Sequence, residues 1–209
     1  MIFRSQGEFA TRLSVNGQTL DRVEAVKMVG VWLTTWLDWE KNTSEICKRA
    51  YARVTMLTKL KYAGVKTQDL TNIYVLYIRS VLEYCSVLWH STLTVAQSQA
   101  IERVKKTCIK VILGQEYKTY TDGLELTGLE ILSERREKRC LQFGLKCLVH
   151  PIHKRMFPVN PKLDEGPNIR SQEHFVVNKA RTDSYSMSAI PYIQRKLNLY
   201  VKEQQRTKS

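Results

Sequence analysis

The sequence predicts a mainly α-helical protein, in which a helical bundle follows a few β-strands and precedes a loop-rich C-terminal extension. The apolar residues recur with a period of two before Asp38 and with a period of about 3.6 after it. Prolines become frequent from Pro151 onward, where the apolar period weakens. With 43% hydrophobic residues among 209, the chain can bury a sizeable core. These changes divide it into residues 1–37, 38–115 and 116–209.

Residues 9–34 alternate between apolar and polar side chains, as strands do. Asn16-Gly17 is a strong signal for a two-residue hairpin turn between two short alternating runs. Val26–Leu33 is predicted to be one further strand, in which Gly30 lets a neighbouring backbone approach closely. The alternative is that these strands are the frayed edge of a larger, truncated sheet.

Four helices are predicted between Asp38 and Val149, each from an apolar stripe with helical spacing. The predicted buried positions are Ile46, Ala50, Val54, Leu57 and Leu60 or Lys61 in the first helix, Leu70, Ile73, Tyr74, Tyr77, Ile78, Val81, Leu82 and Cys85 in the second, Ile101, Val104, Cys108 and Val111 or Ile112 in the third, and Leu141, Leu145 and Leu148 in the fourth. Each stripe indicates a helix that packs one side against a core.

Several residues suit the ends of these helices. Gly64 and Gly114 are placed to end the first and third helices, because glycine readily adopts the left-handed conformation there. Thr67 and Ser133 are predicted to cap the second and fourth helices. A capping box that begins at Thr94 opens the third helix.

The remaining segments carry weaker signals. Asp122-Gly123 is interpreted as a turn. A short last helix is predicted near Pro191. Its apolar side chains are Tyr192, Ile193, Leu197 and Leu199. Lys202–Ser209 is predicted to be a mobile polar tail, as chain ends often are.

The chain carries a net charge of +13, and most of the excess lies near the C-terminus. Residues 133–209 hold 16 Lys and Arg against 7 Asp and Glu, whereas residues 1–132 hold 17 against 13. Because Lys and Arg that contact phosphates release counterions, nucleic acid is the leading class of partner. The alternative is a basic surface without a dedicated ligand. A membrane is not expected, because the apolar stretch Ile73–Trp89 is interrupted by Arg79 and Glu83.

The cysteines are odd in number and no secretory signal precedes them, which favours an intracellular compartment, the nucleus or the cytoplasm. They are Cys47, Cys85, Cys108, Cys140 and Cys147. Cys140 and Cys147 lie near His150 and His153, and all four are residue types that bind zinc. The lack of a Cys-x-x-Cys pair and the interruption at Pro151 favour core cysteines and surface histidines.

A template-directed polymerase needs a pair of carboxylates to hold two metal ions. Here the only adjacent acidic residues are Asp164 and Glu165, in a Pro- and Gly-rich stretch that is expected to be a solvated loop. The sequence also contains no phosphate-binding loop, nucleophile elbow or dinucleotide fingerprint. No catalytic residue and no resident cofactor are therefore predicted for this chain.

Two groups of basic residues suit nucleic acid. Arg135, Arg136, Lys138 and Arg139 form a dense basic turn, and Trp32, Trp36 and Trp39 are interleaved with Lys27, Lys41, Lys48 and Arg49. In such groups aromatic rings can stack on bases while cations pair with phosphates. The alternative for the first group is a solvated helix face. For Trp32 and Trp36, burial in the core is the favoured interpretation.

Four blocks of this sequence, in matching order, resemble the region after the catalytic palm of reverse transcriptases from non-LTR (LINE-type) retrotransposons. The blocks are Val26–Leu33 with Leu37-Asp38-Trp39; Leu76–Tyr84 with Trp89; Leu129–Arg136 with Phe143 and Lys146; and a late run with Asn168–Ser171, Ala180–Thr182, Tyr185, Ser188–Tyr192 and Leu197-Asn198. The family patterns are a Lys-x-Leu-Gly strand ahead of a Leu-x-Trp, a Ser-x-Leu-x-Tyr helix, and a Leu-x-x-Arg-Arg element. Val29 stands where the family usually has Leu.

The resemblance implies the C-terminal part of an RNA-directed DNA polymerase. Residues 1–37 would be palm strands near the primer grip, residues 38–115 a helical thumb, and residues 116–209 a basic extension. The family's Tyr/Phe-x-Asp-Asp motif, which binds catalytic Mg²⁺, would lie upstream of the first block. The implied partners are the RNA and DNA of a template–primer duplex and the remaining polymerase portion. The implied nucleic-acid-binding residues are Lys27, Gly30, Trp39, Lys41, Lys48, Arg49, Arg135, Arg136, Lys138, Arg139, Arg170 and Arg181.

Two other functions remain open at this point. The chain can be a helical protein-interaction module that docks onto a separate polymerase subunit, or a translated, non-functional remnant of a mobile element. A steep dependence of binding on salt distinguishes nucleic-acid binding from protein docking, because phosphate contacts release counterions.

We expect the purified chain to incorporate no nucleotides on a primed template, because its sequence offers no carboxylate pair suited to two metal ions. Incubation with labelled nucleotides, Mg²⁺ and primed RNA or DNA, followed by gel electrophoresis, measures this. The matched control is a mock purification from cells that do not express the chain. Metal-dependent extension above the mock level would contradict the prediction.

Overall fold

A computed structural model of the chain describes residues 14–21, 23–161 and 173–207. These residues are mainly helical, and their few regular strands are short, antiparallel and close to the N-terminus. The predicted fold class is therefore confirmed. Within these ranges, none of the helices combines the length and the apolar character that crossing a membrane requires.

The chain folds into two compact units. The first contains, in order, β1 (Ser14–Val15), β2 (Gln18–Thr19), β3 (Ala25–Met28), β4 (Val31–Thr34), α1 (Glu40–Tyr62), α2 (Thr67–Ile73), α3 (Ser80–Leu82) and α5 (Val95–Leu113). The second contains α4 (Ser86–Trp89), α6 (Tyr120–Thr127), α7 (Leu132–Val149), α8 (Asp183–Ser186) and α9 (Ala189–Arg206). Each unit therefore combines segments that are distant in the sequence.

Two β-hairpins open the first unit, and each has a two-residue turn. β1 pairs with β2 around Asn16 and Gly17, whose φ angles of 52° and 78° are those of the predicted turn. The single strand predicted over Val26–Leu33 is wrong. Val29 and Gly30, with φ angles of 46° and 81°, reverse the chain so that β3 pairs with β4. Gly30 thus serves a turn, and the earlier half of the first predicted strand lies outside the described residues.

Helices α1 and α5 form the core of the first unit. Their buried side chains include Ile46, Ala50, Val54 and Leu57 in α1 and Ile101, Val104 and Cys108 in α5, as predicted. Of the two alternatives Val111 and Ile112, Ile112 is the buried one. Helix α1 ends as predicted near Gly64, whose φ of 81° lets the Val65 N–H donate to the Leu60 carbonyl at 3.2 Å. Lys61 Nζ donates to the Ile112 carbonyl at 2.7 Å, which satisfies one of the last carbonyls of α5.

The second predicted helix is interrupted. It begins as α2, continues as a π-helix over Tyr74–Arg79, and ends as α3. Lys66, not Thr67, precedes the first turn, so the predicted cap is wrong. Leu70, Tyr74, Ile78, Val81 and Leu82 are buried as predicted. A π-helix forms hydrogen bonds between residues i and i+5, so the residues after it lie on a different side of the helix than a regular α-helix would give. Tyr77 and Cys85, which were predicted to be buried, are exposed.

In the second unit, α7 and α9 pack against each other. Helix α7 begins at Leu132, directly after Ile131, so Ser133 lies inside the first turn and is not its cap. The buried residues of α7 are Leu132, Arg136, Cys140, Gly144 and Cys147. The predicted stripe of Leu141, Leu145 and Leu148 is only partly buried, at the border of this core. The predicted stripe lies one position after the buried one. The buried stripe includes Arg136 and Gly144, which an apolar pattern does not pick out.

Two further predictions about the second unit are wrong. Asp122 and Gly123 do not form a turn but lie in α6, where the Asp122 N–H donates to the capping Thr119 Oγ1 at 3.2 Å. Helix α9 continues to Arg206, so most of the predicted mobile tail is helical. Ile193 and Leu197 are buried as predicted. Leu199, expected on the same apolar side, is 52% exposed.

Two amide side chains of α9 hold the loop-rich segment. The Phe175 N–H donates to Asn198 Oδ1 at 2.7 Å, and Asn198 Nδ2 donates to the Phe175 carbonyl at 3.0 Å. The Asn178 N–H donates to Gln194 Oε1 at 3.0 Å, and Gln194 Nε2 donates to the Met156 carbonyl at 2.8 Å. The extended backbone thus gains the partners that a neighbouring strand would otherwise supply.

We expect Gly144→Ala to destabilise the second unit, because a Cβ atom there would lie 2.6 Å from Ile193 Cγ2 and 3.2 Å from Leu197 Cδ1. At a helix position with free space around it, Gly→Ala raises the free energy of unfolding by roughly 0.5–1 kcal/mol. The sign of the change in that free energy therefore shows whether the site is crowded. A loss of about 1–3 kcal/mol in the free energy of unfolding is expected, measured by urea denaturation. Gln142→Ala, at an exposed position of α7, is the control. A gain in stability for Gly144→Ala would show that the two helices are not in close contact here.

Candidate nucleic-acid interface

One face of the β3–β4 hairpin gathers cations around a tryptophan. Lys27 and Trp32 are directly opposite each other in the hairpin, so their side chains leave the same face. Lys41 Nζ lies 4.2 Å from the centroid of the Trp32 ring, which is a cation–π contact. The backbone N–H of Trp32 donates to Asn42 Oδ1 at 3.2 Å, and this hydrogen bond connects the hairpin to α1. Two predicted site residues, Lys27 and Lys41, are thus brought together at a half-buried ring.

A row of lysines continues along the solvent side of α1. Lys41, Lys48 and Lys59 are 7 and 11 residues apart, about two and three helical turns, so they share one face. All three are exposed, and among the described residues no ion pair involves them. Arg49 is also exposed, and its Nε donates to the Glu45 carbonyl at 3.4 Å. We refer to Lys41, Lys48 and Lys59 as the lysine row.

Helix α5 adds cations that the sequence analysis did not single out. Arg103, Lys106 and Lys110 are exposed and recur at i, i+3 and i+7. Burial raises the pKa of the Cys47 thiol in α1, and the nearby charge of Arg103 partly offsets that rise. Arg103 of α5 therefore lies near Cys47 of α1. The helical spacing of the α5 cations is the signal that could have identified them.

Two tryptophans near the start of α1 lie opposite to expectation. Trp39, a predicted nucleic-acid contact, is only 6% exposed, so its ring cannot stack on a base. Trp36, expected in the core, is 54% exposed. It lies in a turn in which Thr34 Oγ1 donates to Asp38 Oδ1 at 3.2 Å and the Leu37 N–H donates to the Thr34 carbonyl at 3.2 Å. The residue type alone therefore did not indicate which of the two rings is exposed.

The cations at the start of α7 do not form one open patch. Arg135 Nε lies 3.1 Å from Glu83 Oε1, and Arg139 Nη1 lies 3.4 Å from Glu83 Oε2. The Glu83 side chain is only 2% exposed, so this carboxylate depends on the two arginines. Lys138 Nζ pairs with Glu130 Oε1 at 3.1 Å on the surface. Three of the four predicted phosphate contacts therefore already have carboxylate partners within the second unit.

The fourth, Arg136, is fully buried and cannot reach a phosphate. Its guanidinium carbon lies 5.7 Å from the centroid of the Trp89 ring. Its Nε donates to His90 Nδ1 at 3.4 Å. Burial first, and the charge of Arg136 second, lower the pKa of His90 to about 4, so this imidazole stays a neutral acceptor at neutral pH. Arg136 is thus a member of the core.

The remaining predicted positions are dispersed. Arg181 is exposed ahead of α8, whereas Arg170, Asp164 and Glu165 lie outside the described residues. Cys140 and Cys147 are buried and His150 and His153 are exposed, as predicted. In the part of the chain that the structure describes, no group of three or more His, Cys, Asp or Glu side chains is placed to hold a metal ion.

No family model, no curated protein and no solved structure matches this chain. Function is therefore inferred from the charge, exposure and spacing of the residues themselves and from the sequence blocks described above. The lysine row, together with the cations around Trp32, is the part of the first unit best suited to a polyanion, because these cations are exposed and lie on neighbouring elements.

We expect Arg136→Ala to lower the free energy of unfolding by about 3 kcal/mol, because deleting a large, fully buried side chain leaves a cavity. Lys138→Ala, at a side chain that is 60% exposed, should change it by less than about 0.5 kcal/mol. Thermal denaturation followed by circular dichroism measures both. If the two variants were equally stable, Arg136 would not be part of the core.

Proposed function

We propose that this chain is the thumb-like and post-thumb part of a non-LTR retrotransposon reverse transcriptase, and that it binds template–primer nucleic acid through the sugar–phosphate backbone. The observation that carries the proposal is the lysine row, whose cations have no ion-pair partner among the described residues. The net charge of +13 adds long-range attraction for a polyanion. The four sequence blocks support the link to the reverse transcriptase family.

The spacing of the lysine row suits a nucleic-acid strand better than a single small anion. Lys41 and Lys59 are 18 residues apart, which corresponds to about 27 Å along a helix. Each strand of B-DNA carries one phosphate per about 3.4 Å of helix axis and winds around that axis, so three cations spread over this length can contact separate phosphates of a duplex. Lysine is a flexible point charge and reads no base edge in such contacts. Binding is therefore expected to be independent of sequence.

The β3–β4 hairpin takes the place of the family's primer-grip region in this proposal. Lys27 is the cross-strand neighbour of Trp32, and Lys41 lies over the Trp32 ring, so both supply cations next to it. At its tip, Met28 and Val29 are 54% and 81% exposed. A φ of 46° is uncommon for a β-branched residue such as Val29, and strained backbone tends to occur at functional sites. We assign to this hairpin a contact with the primer backbone.

Polymerase chemistry is assigned to the portion of the family that carries the Tyr/Phe-x-Asp-Asp motif. Mg²⁺ belongs to that portion, and the residues of this chain hold the nucleic acid. The nucleus or the cytoplasm is the proposed compartment, since both contain the RNA and DNA that such a protein requires.

Docking onto a separate polymerase subunit is the second candidate function, and one observation favours it. The N-terminal hairpins and the segment between them expose several apolar side chains, namely Val15, Leu20, Val23, Met28 and Val29, which are 49–81% exposed. Both hairpins are two-stranded, and two-stranded ribbons are marginally stable without a partner surface. The polymerase portion that the resemblance implies is the partner that would cover them.

Replacing the lysine row with alanine (Lys41, Lys48 and Lys59 together) is expected to lower the salt slope of duplex DNA binding by about 2.7 units, because each phosphate contact contributes about 0.9. Filter binding across a salt series measures the slope, and affinity should fall equally for unrelated sequences. Lys66→Ala, at an exposed lysine outside the row in the first unit, is the control.

Circular dichroism establishes that the triple variant is folded. An unchanged salt slope in the folded triple variant would remove the proposed backbone contact and leave protein docking as the better-supported function. A slope that falls by about 0.9 units in Lys66→Ala, the loss expected for one phosphate contact, would likewise reject a specific role for the row.

A further inference from the structure

The turn that follows α7 carries a basic surface that the proposed function does not use. Between Glu137 and Asp164 the sequence contains no acidic residue. Lys146, Lys154 and Arg155 are exposed in this stretch, and no ion pair within the described ranges engages them. These cations therefore differ from those at the start of the same helix, which have carboxylate partners. They remain available to an anionic ligand.

Two exposed histidines form a stacked pair within this surface. The ring centroids of His150 and His153 are 4.0 Å apart, and the rings are inclined by 18°. His150 Nδ1 accepts the N–H groups of Ile152 and His153, each at 3.3 Å, so the backbone holds this ring in place. On either side of the turn, Cys147 and Phe157 are buried in the core of the second unit. The two histidine rings are therefore attached to a turn whose ends are anchored in the core.

We propose that the segment Lys146–Arg155, here called the basic turn, binds single-stranded nucleic acid. An unpaired base stacks on the imidazole pair while Lys146, Lys154 and Arg155 bind the adjacent phosphates. Sites for single strands combine these two features, aromatic faces for bases and cations for the backbone. A duplex is a poor ligand for the stack, because its bases already stack on one another.

Apolar side chains complete the surface of the basic turn. Val149 and Ile152 are 83% and 66% exposed and add apolar surface that a ligand can cover. The flat face of a base or of a ribose can do so. The basic turn belongs to the second unit and the lysine row to the first. The inference thus goes beyond the proposed function and is tested by different variants.

The experiment measures fluorescence anisotropy of the full chain with labelled oligothymidylate, oligouridylate and a blunt DNA duplex of the same length. His153→Ala is expected to weaken binding of both single strands about tenfold, as expected when one stacking partner is lost, and to leave duplex binding unchanged. His153→Phe, which keeps an aromatic face, should bind like the original chain.

Charge and stacking are separated by a second variant. Replacing Lys154 and Arg155 with alanine should lower the salt slope for single strands by about 1.4 units, since each phosphate contact contributes about 0.7. His153→Ala should leave that slope unchanged. Lys179→Ala, at an exposed lysine elsewhere in the second unit, is the control and should match the original chain.

Equal binding of single strands by His153→Ala and the original chain would overturn the inference, as would loss of binding in His153→Phe. Vesicles containing phosphatidylserine test a membrane as the ligand. If Ile152→Ser abolishes vesicle binding while all variants bind oligonucleotides equally, the basic turn is a membrane contact and the inference fails. If His153→Ala weakens single-strand binding while the lysine-row variant binds duplex normally, the inference stands and the proposed function fails.

Discussion

The buried carboxylate of Glu83 determines how the second unit arranges its charges. Only 3% of this residue is exposed, and an ion so far removed from water needs compensating cations. Arg135 and Arg139, one helical turn apart in α7, supply them at 3.1 and 3.4 Å. Their direction fixes the rotation of α7 about its own axis. Arg136, one position after Arg135, is consequently turned into the core beside Trp89.

This constraint also limits where an anion can bind. A phosphate that approached Arg135 or Arg139 would have to displace Glu83, and leaving a buried carboxylate unpaired costs about 3–5 kcal/mol. The cations of the lysine row face no such competition among the described residues. A local count of Lys and Arg is therefore a poor measure of the positive charge available to a ligand. What matters is whether an internal carboxylate already lies within reach.

Hydrophobic periodicity predicted the fold class. It also predicted the buried positions of α1 and α5, because the buried faces of these two helices consist mainly of apolar residues. It misplaced the buried face of α7 because Arg136 and Gly144 are part of it, and neither is apolar in the sequence pattern. Gly144 is required by the close approach of Ile193, which no local pattern records. The β3–β4 turn was missed because Val29-Gly30 lacks the Asn or Asp that usually marks a two-residue turn, so two short strands resembled one.

The candidate site was predictable only in part. A residue type does not reveal which of its chemical groups faces a ligand, for example the ring nitrogens or the ring face of a histidine. Lys27, Lys41 and Lys48 were expected to be exposed and are. His150 and His153 are of a residue type that binds metals, although their spacing favours surface histidines. Imidazole lone pairs lie in the ring plane, and two rings stacked 4.0 Å apart at 18° cannot direct them at one ion. His150 Nδ1 is also occupied by two backbone N–H groups. The pair thus offers ring faces to a ligand, and ring faces suit a planar base better than a metal.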